Sequence, residues 1–269
     1  GSDELVEKDF DRSNSVEDAK IKLQYDLYYI RHRSLLMDVY VMLKTVGRLY
    51  GTDPGFDPNG VVAAQLAPSG ARYQNQGELS RAFLRRVEEG IRAIPGVETV
   101  GSIHLLPLTS NNWNFPYLAE DHEPPENAPL PSANFRIVTP GYFETMGIPL
   151  VRGRSVTPAD GPDDLPVGLV NEAMAELLWP GENPLGKEIL LFGNQPFQVV
   201  GVVGDVRQHA LDRDALPEMY RPFQQYSWPG VTVMVKTSRR QVSDLAPVIR
   251  DVVWDADPDV PVPSIQNLD

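Results

Sequence analysis

Two segments near opposite ends of the region 60–269 carry the same pattern, an amphipathic helix between two apolar strands. In the first, Val61–Ala67 reads as a strand and Asn75–Ile94 as a helix with Leu79, Phe83, Leu84, Val87 and Ile91 on one face. Pro95-Gly96 stops that helix, and Val97–Leu108 reads as the second strand. In the second, Val231–Thr237 alternates valine with Thr, Met and Lys. Val242–Trp254 follows as a helix with Leu245, Val248, Ile249, Val252 and Val253 inward, and Val260–Ile265 as a final edge strand. A helix with one apolar face must cover that face, and a sheet made from its own flanking strands is the nearest cover. The pattern predicts an α+β fold in which both helices pack on one sheet, with the stretch between them inserted.

That stretch is β-rich. Residues 109–132, with their Asn and Pro, read as a long irregular excursion. Ala133–Val138 reads as a strand, Pro140–Met146 as a short helix and Arg152–Pro166 as a loop. Val167–Val170 is a short strand running into the helix Glu172–Leu178, Trp179–Gly186 is a tight turn, and Lys187–Phe192 with Phe197–Val203 is a hairpin. Gly51–Gly60 is a turn cluster and the clearest boundary. Before it, Val16–Val46 reads as a long helix capped by Ser15, apolar on nearly every face from Leu35 to Val46. The best candidate for a membrane span, Ser34–Val46, is broken by Asp38 and Lys44 and falls short of the ~18–20 apolar residues a span needs. The chain as given is expected to be soluble, with Gly1-Ser2 a cloning scar.

Composition narrows the chemistry. With no cysteine there is no disulfide framework, thiol nucleophile or cysteine metal site. A net charge of −13 argues against a nucleic-acid partner. His32, His104, His122 and His209 include no pair at helical metal-site spacing. His122 lies in the acidic string Glu120–Glu123, read as a solvated loop tip in preference to a cation site. Gly201-Val-Val-Gly204-Asp205 superficially suggests a nucleotide loop but lacks the spacing of one. It reads instead as a buried strand whose glycines permit close backbone packing. Asp163-Asp164 and Asp212/Asp214 read as solvated loop charges, and Arg152 and Arg154 as members of structural ion pairs in preference to a ligand clamp. No metal, cofactor or catalytic group is expected. Trp113, Phe115 and Tyr117 alternate, so an extended backbone puts all three on one face. Either they plug a seam between two subdomains or they form a docking patch for a partner or cargo, and Trp228 raises the same question.

Four ordered motifs carry a resemblance. They are Asp53-Pro-Gly-Phe-Asp-Pro58, then Tyr142–Pro149 followed by Val151-Arg-Gly-Arg154, then Val170–Lys187, and last Val199–Arg207 followed by Pro217-Glu-Met-Tyr220. Together they resemble the MacB-like periplasmic core domain of ABC-transporter permeases, over about residues 52–269. The resemblance implies a porter-like subdomain of β-α-β units (52–108 and about 195–269) with an inserted β-rich subdomain (about 109–194). It implies a non-catalytic extracytoplasmic module that transmits ATP-driven motion in export or efflux, at the periplasmic face of the bacterial inner membrane. Its partners would be the transmembrane helices and ATPase domain of a parent transporter, and a periplasmic adaptor or cargo. Residues 16–50, above all Tyr25-Asp-Leu-Tyr-Tyr-Ile30, resemble instead the C-terminal tail of bacterial polyprenyl-phosphate sugar-1-phosphate transferases. That implies a fused, rearranged or engineered origin, and offers a transferase fragment joined to an interaction module as the alternative function. The parent family's catalytic acidic dyad lies upstream of the tail and is not in the chain. The apolar helix is expected to self-associate or to pack on the rest of the chain.

Overall fold

The computed structural model describes residues 53–68, 73, 77–109, 113–119, 128–191, 195–208, 211, 213–238 and 242–268. The helix expected over 16–46, the transferase-like string, His32, His122, His209 and Asp212 lie outside the described residues. The chain divides into two compact units, Gly1–Asp53 with Ala210–Asp214, and Pro54–His209 with Ala215–Asp269. All that follows concerns the second.

Strand β1 (Val61–Leu66), helix α1 (Gly77–Arg92) and strand β2 (Val97–Ile103) form the first repeated pattern. The inserted stretch holds β3 (Asn114–Ala119), β4 (Ser132–Val138), α2 (Tyr142–Thr145), β5 (Leu150–Gly153) and β6 (Val167–Asn171). It continues with α3 (Glu172–Leu178), β7 (Glu188–Leu191), β8 (Gln195–Val203) and β9 (Glu218–Pro222). The second repeat is β10 (Val231–Thr237), α4 (Val242–Ala256) and β11 (Ser264–Asn267).

β10 runs antiparallel to both β1 and β2, so those two are parallel with β10 between them. β1 likewise separates β10 from β11. Each β-α-β unit is therefore split, and each lends a strand to the gap in the other. The order β11-β1-β10-β2 is the ferredoxin-like arrangement. Neither unit can complete its sheet alone, although residues 104–230 separate them. Phe83, Leu84, Val87 and Ile91 of α1 share one core with Leu245, Ile249 and Val253 of α4 and the inner side of this sheet. Both helices thus pack on one face, as their apolar stripes require. Leu79, expected inward, remains 43% exposed. The helices approach closely enough that a Cβ on Gly90 would sit 2.6 Å from Val252 Cγ1.

The inserted strands close on themselves. β3 pairs with β4 and β7, β7 with β8, β8 with β6, β6 with β9, and β9 with β4. A closed ring has no free edge among its members. Phe135, Ile137, Phe197, Val199 and Met219 fill its inside. The pairing joins Gln195–Val203 to 150–191, so the return to the first sheet comes at Val231 and not near 195. Three strands differ from the sequence expectation: β3 lies within the supposed irregular excursion, β5 opens the supposed loop, and β9 lies beyond the hairpin, where no element was expected.

A second core fills the seam between the first sheet and the outside of the ring. Val61, Ala63 and Met234 meet Val138, Leu169 and Tyr220 there, with Tyr142, Phe143 and Met146 wedged between. Gly101 lets β2 reach α2: a Cβ at Gly101 would lie 2.3 Å from Tyr142 N. The adjoining Ser102 N donates to Thr139 Oγ1 at 2.8 Å. Both hydroxyls then donate to Glu88 Oε1, each at 2.6 Å. Burial pushes this Glu88 carboxyl above the usual carboxylate range, against the pull of those donors.

Gly101→Ala is expected to lower the unfolding free energy by about 1–3 kcal/mol or more, because the backbone of α2 cannot yield as a side chain would. Gly230→Ala, whose Cβ would meet nothing nearer than Trp228 Nε1 at 3.9 Å, should stay within about 0.5 kcal/mol of the parent. Urea denaturation of the two variants checks the contrast.

Candidate functional site

Three of the aromatic residues singled out from the sequence come together at the surface. Trp113 meets Trp228 edge-on, with ring centroids 4.5 Å apart, and Phe115 at 5.8 Å. Phe115 continues to Phe135 at 4.9 Å, and Phe135 to Tyr226 at 5.3 Å. Trp113 and Phe115 are half-buried against the core, and Trp228 is 40% exposed. Tyr117 shares their face of β3 but is only 3% exposed, closed off inside the ring beside Leu191, its partner on β7. It offers no surface to a partner and leaves the set of contact residues. Trp228 is the most exposed member of this aromatic run, while Trp113, Phe115 and Tyr226 are half-buried and Phe135 is enclosed.

The inner end rests on His104, which sequence reasoning did not connect with the aromatics. Its ring lies 4.8 Å from that of Trp113. Nδ1 accepts a hydrogen bond from Ile137 N at 2.9 Å, which places the proton of the neutral ring on Nε2. Burial, with Arg136 nearby, depresses the His104 pKa from 6.5 to about 3.

A buried polar network lies on the seam side of β4 and β9. Arg136 Nε is 2.9 Å from Glu218 Oε1, with both side chains at or below 1% exposure. Arg136 also donates to Phe135 O at 3.0 Å and to Gln208 Oε1 at 3.2 Å. Glu218 Oε2 accepts from Gln208 Nε2 at 2.8 Å and from Tyr220 Oη at 2.7 Å. Burial pushes Glu218 up and Arg136 pulls it down. Asn171 Oδ1 caps α3 through Met174 N at 3.0 Å, accepts Glu218 N at 2.9 Å, and its Nδ2 donates to Leu216 O at 2.9 Å. A charged residue in the apolar run Ala133–Val138 was the signal available in the sequence, since a buried charge needs a partner.

The motif residues serve contacts of the same kind. Gly55, at φ +83°, has Asp205 O where a Cβ would fall, only 1.9 Å away. Pro54 O accepts from Arg207 N at 2.9 Å, and Asp205 Oδ1 from Ala173 N at 2.9 Å. Gly201 lies where a Cβ would meet Arg154 O at 2.3 Å, which is the close strand packing expected of it. Arg154 forms a two-pronged pair with Asp160 at 2.7 and 2.9 Å, and Arg152 reaches only Glu182 O at 3.5 Å. Asp164 accepts from Gly161 N within its own exposed loop. Among the described residues, no three His, Asp or Glu side chains are grouped as a metal site would require.

Residues 38–251 match the family described as MacB-like periplasmic core domain. The chain belongs to that family. The MacB-like match begins at residue 38, not at 52, and takes in part of the 16–50 segment; none of the comparisons supports the likeness of that segment to a sugar-transferase tail. Over 97 residues, 36% of the chain, it is 33% identical to the macrolide export ATP-binding/permease protein MacB of Mannheimia succiniciproducens. Over 83 residues, 30% of the chain, it is 35% identical to the pyoverdine export ATP-binding/permease protein PvdT of Pseudomonas putida. The matched stretches span 15% and 12% of these curated relatives. The solved periplasmic region of MacB from Actinobacillus actinomycetemcomitans is similar at a TM-score of 0.52 and 16% identity, covering 80% of this chain and 91% of that one. At that identity the likeness concerns the fold, a mixed α/β architecture.

The His104 environment sets a pH dependence. The unfolded chain takes up a proton below 6.5 and the folded chain does not until about 3, so stability is lost as the pH falls through that window. The loss from this one group is at most about 1.4 kcal/mol per pH unit. His104→Gln keeps an acceptor for Ile137 N, and its unfolding free energy should fall less steeply over the same range. Equal slopes in urea titrations of the two proteins would contradict the assignment.

Proposed function

We propose that this domain is the extracytoplasmic part of an ABC-transporter permease acting in export, and that it carries ATP-driven motion outward without catalysing a reaction itself. The observation that carries this reading is the family match over residues 38–251. The relatives' names, both export ATP-binding/permease proteins, support the class of activity. In this reading 54–103 with 231–268 are the porter-like part and 104–230 the inserted part. The seam core and the Glu88 tie support their moving together. In this reading the membrane helices and the ATPase belong to the parent transporter. No helix of the described residues is long and apolar enough to cross a membrane. The outer end of the aromatic run, Trp228 with Trp113 and Phe115 behind it, is the contact surface for a periplasmic adaptor or for cargo. Self-association through residues 16–50 is a second proposed contact.

In the full parent transporter, Trp228→Ala should leave the melting temperature and ATP hydrolysis unchanged and lower export severalfold. An unchanged export rate would remove the contact role. A parent protein whose activity is not ATP-linked export would remove the reading itself.

A further inference from the structure

Asn59-Gly60 is the only asparagine–glycine step in the chain, and it forms the tight turn that leads into β1. Val61 N donates to Pro58 O at 3.1 Å and closes that turn. Gly60 has φ +64°, and a Cβ there would lie 2.5 Å from Thr237 O, so a side chain at this position would be both strained and blocked. Asn59 is exposed to solvent. The Gly60 N–H donates no hydrogen bond among the described residues, and with no Cβ beside it nothing shields that nitrogen from the side chain of Asn59.

Charge acts on the same peptide unit. Lys236 Nζ donates to Asn59 O and to Asp57 Oδ2, each at 2.7 Å. Asn59 O and Gly60 N belong to one amide, so an ammonium on the oxygen stabilises negative charge spread over both atoms and favours loss of the Gly60 proton. Asp57 holds the other reactant. Its Oδ1 accepts from Asn59 N at 3.1 Å and from Asn59 Nδ2 at 2.8 Å, which keeps the side-chain amide on the turn. The hydrogen bonds from Lys236 and Asn59 hold the Asp57 carboxyl below the usual carboxylate range, so it stays an acceptor. We propose that Asn59 is a self-modification site, that Lys236 promotes its conversion to aspartate and isoaspartate, and that the product loosens the entry to β1. Gly60 N gives its proton to solvent and attacks Asn59 Cγ. The Cγ–Nδ2 bond breaks, and the nitrogen leaves as ammonia with a proton from water. Water then opens the resulting succinimide. Breaking the bond between Cγ and Gly60 N gives aspartate. Breaking the bond between the Asn59 main-chain carbonyl carbon and Gly60 N gives isoaspartate, whose main chain runs through the former side chain. That lengthens the turn between Asp57 N, which donates to Met146 O at 2.8 Å, and Gly60 O, which accepts from Thr237 N at 2.8 Å. The site does not rest on the transport reading, and its failure would leave that reading untouched.

The test holds the whole chain at mildly alkaline pH and physiological temperature, and follows Asn59 by peptide mass mapping and by labelling with an isoaspartyl methyltransferase. Asn59 should gain a single mass unit and a methyl label. Asn59→Gln should lose the label at this position. Lys236→Met, with its fold checked by circular dichroism, should modify Asn59 severalfold more slowly than the parent. The aged, labelled chain should melt lower than the fresh one. No label at Asn59, an undiminished rate in Lys236→Met, or equal melting of aged and fresh chains would each overturn the proposal. If Lys236→Met does not fold, the parent chain unfolded in urea takes its place, since Lys236 then no longer meets Asn59 O. The folded chain should modify Asn59 at least as fast as the unfolded one, and a slower folded chain would overturn the proposal.

Discussion

The Arg136–Glu218 pair is the interaction on which the closure of the inserted ring depends. It sits where water cannot reach, so removing either residue leaves the other's charge buried without the counter-charge it meets here. Arg136 belongs to β4, the strand that leaves β2 of the first sheet and enters the ring. Glu218 belongs to β9, which lies parallel to β4 and closes the ring against β6. Through Gln208 and Asn171 the same cluster holds the segment after β8 and the start of α3. A displacement of either strand would separate opposite charges in a desolvated seam. β4 also meets β2 at Ile103 and Val138, so the pair holds in register the ring strand that adjoins the first sheet.

The four recognisable motifs acquire a common explanation from this geometry. Gly55, Gly153 and Gly201 each allow a backbone approach that any side chain would block. Asn171 and Asp205 each accept from a backbone N–H of a distant segment, and Glu218 meets Arg136 across the strand pair. These are docking points between segments far apart in the chain, not groups converging on a reacting atom. These motifs therefore mark how the domain is held together.

The sequence made the periodic elements legible and left the long-range ones hidden. The stripes of α1 and α4 and the valine alternation of β10 repeat locally, so their positions agree to within a few residues. The interlocking of the two split units depends on registers between strands more than a hundred residues apart, which no local pattern encodes. β9 was missed because Glu218-Met-Tyr-Arg-Pro222 looks too charged for a buried strand. It is buried because Glu218 has Arg136, and because Arg221 lies over Phe197. β3 was masked by Asn114 and Pro116, which point outward while Trp113, Phe115 and Tyr117 face in. The alternation of those three was visible, but only the structure separates the enclosed Tyr117 from the exposed rim.

A double-mutant cycle on the seam tests the account most directly. Arg136→Met and Glu218→Met should each lower the urea unfolding free energy by about 3–5 kcal/mol, because each leaves one buried charge uncompensated. The double variant should return to within about 1–2 kcal/mol of the parent, since it leaves no charge behind. Single losses that simply add, or single losses too small to measure, would contradict the claim that this pair locks β4 to β9 and closes the ring.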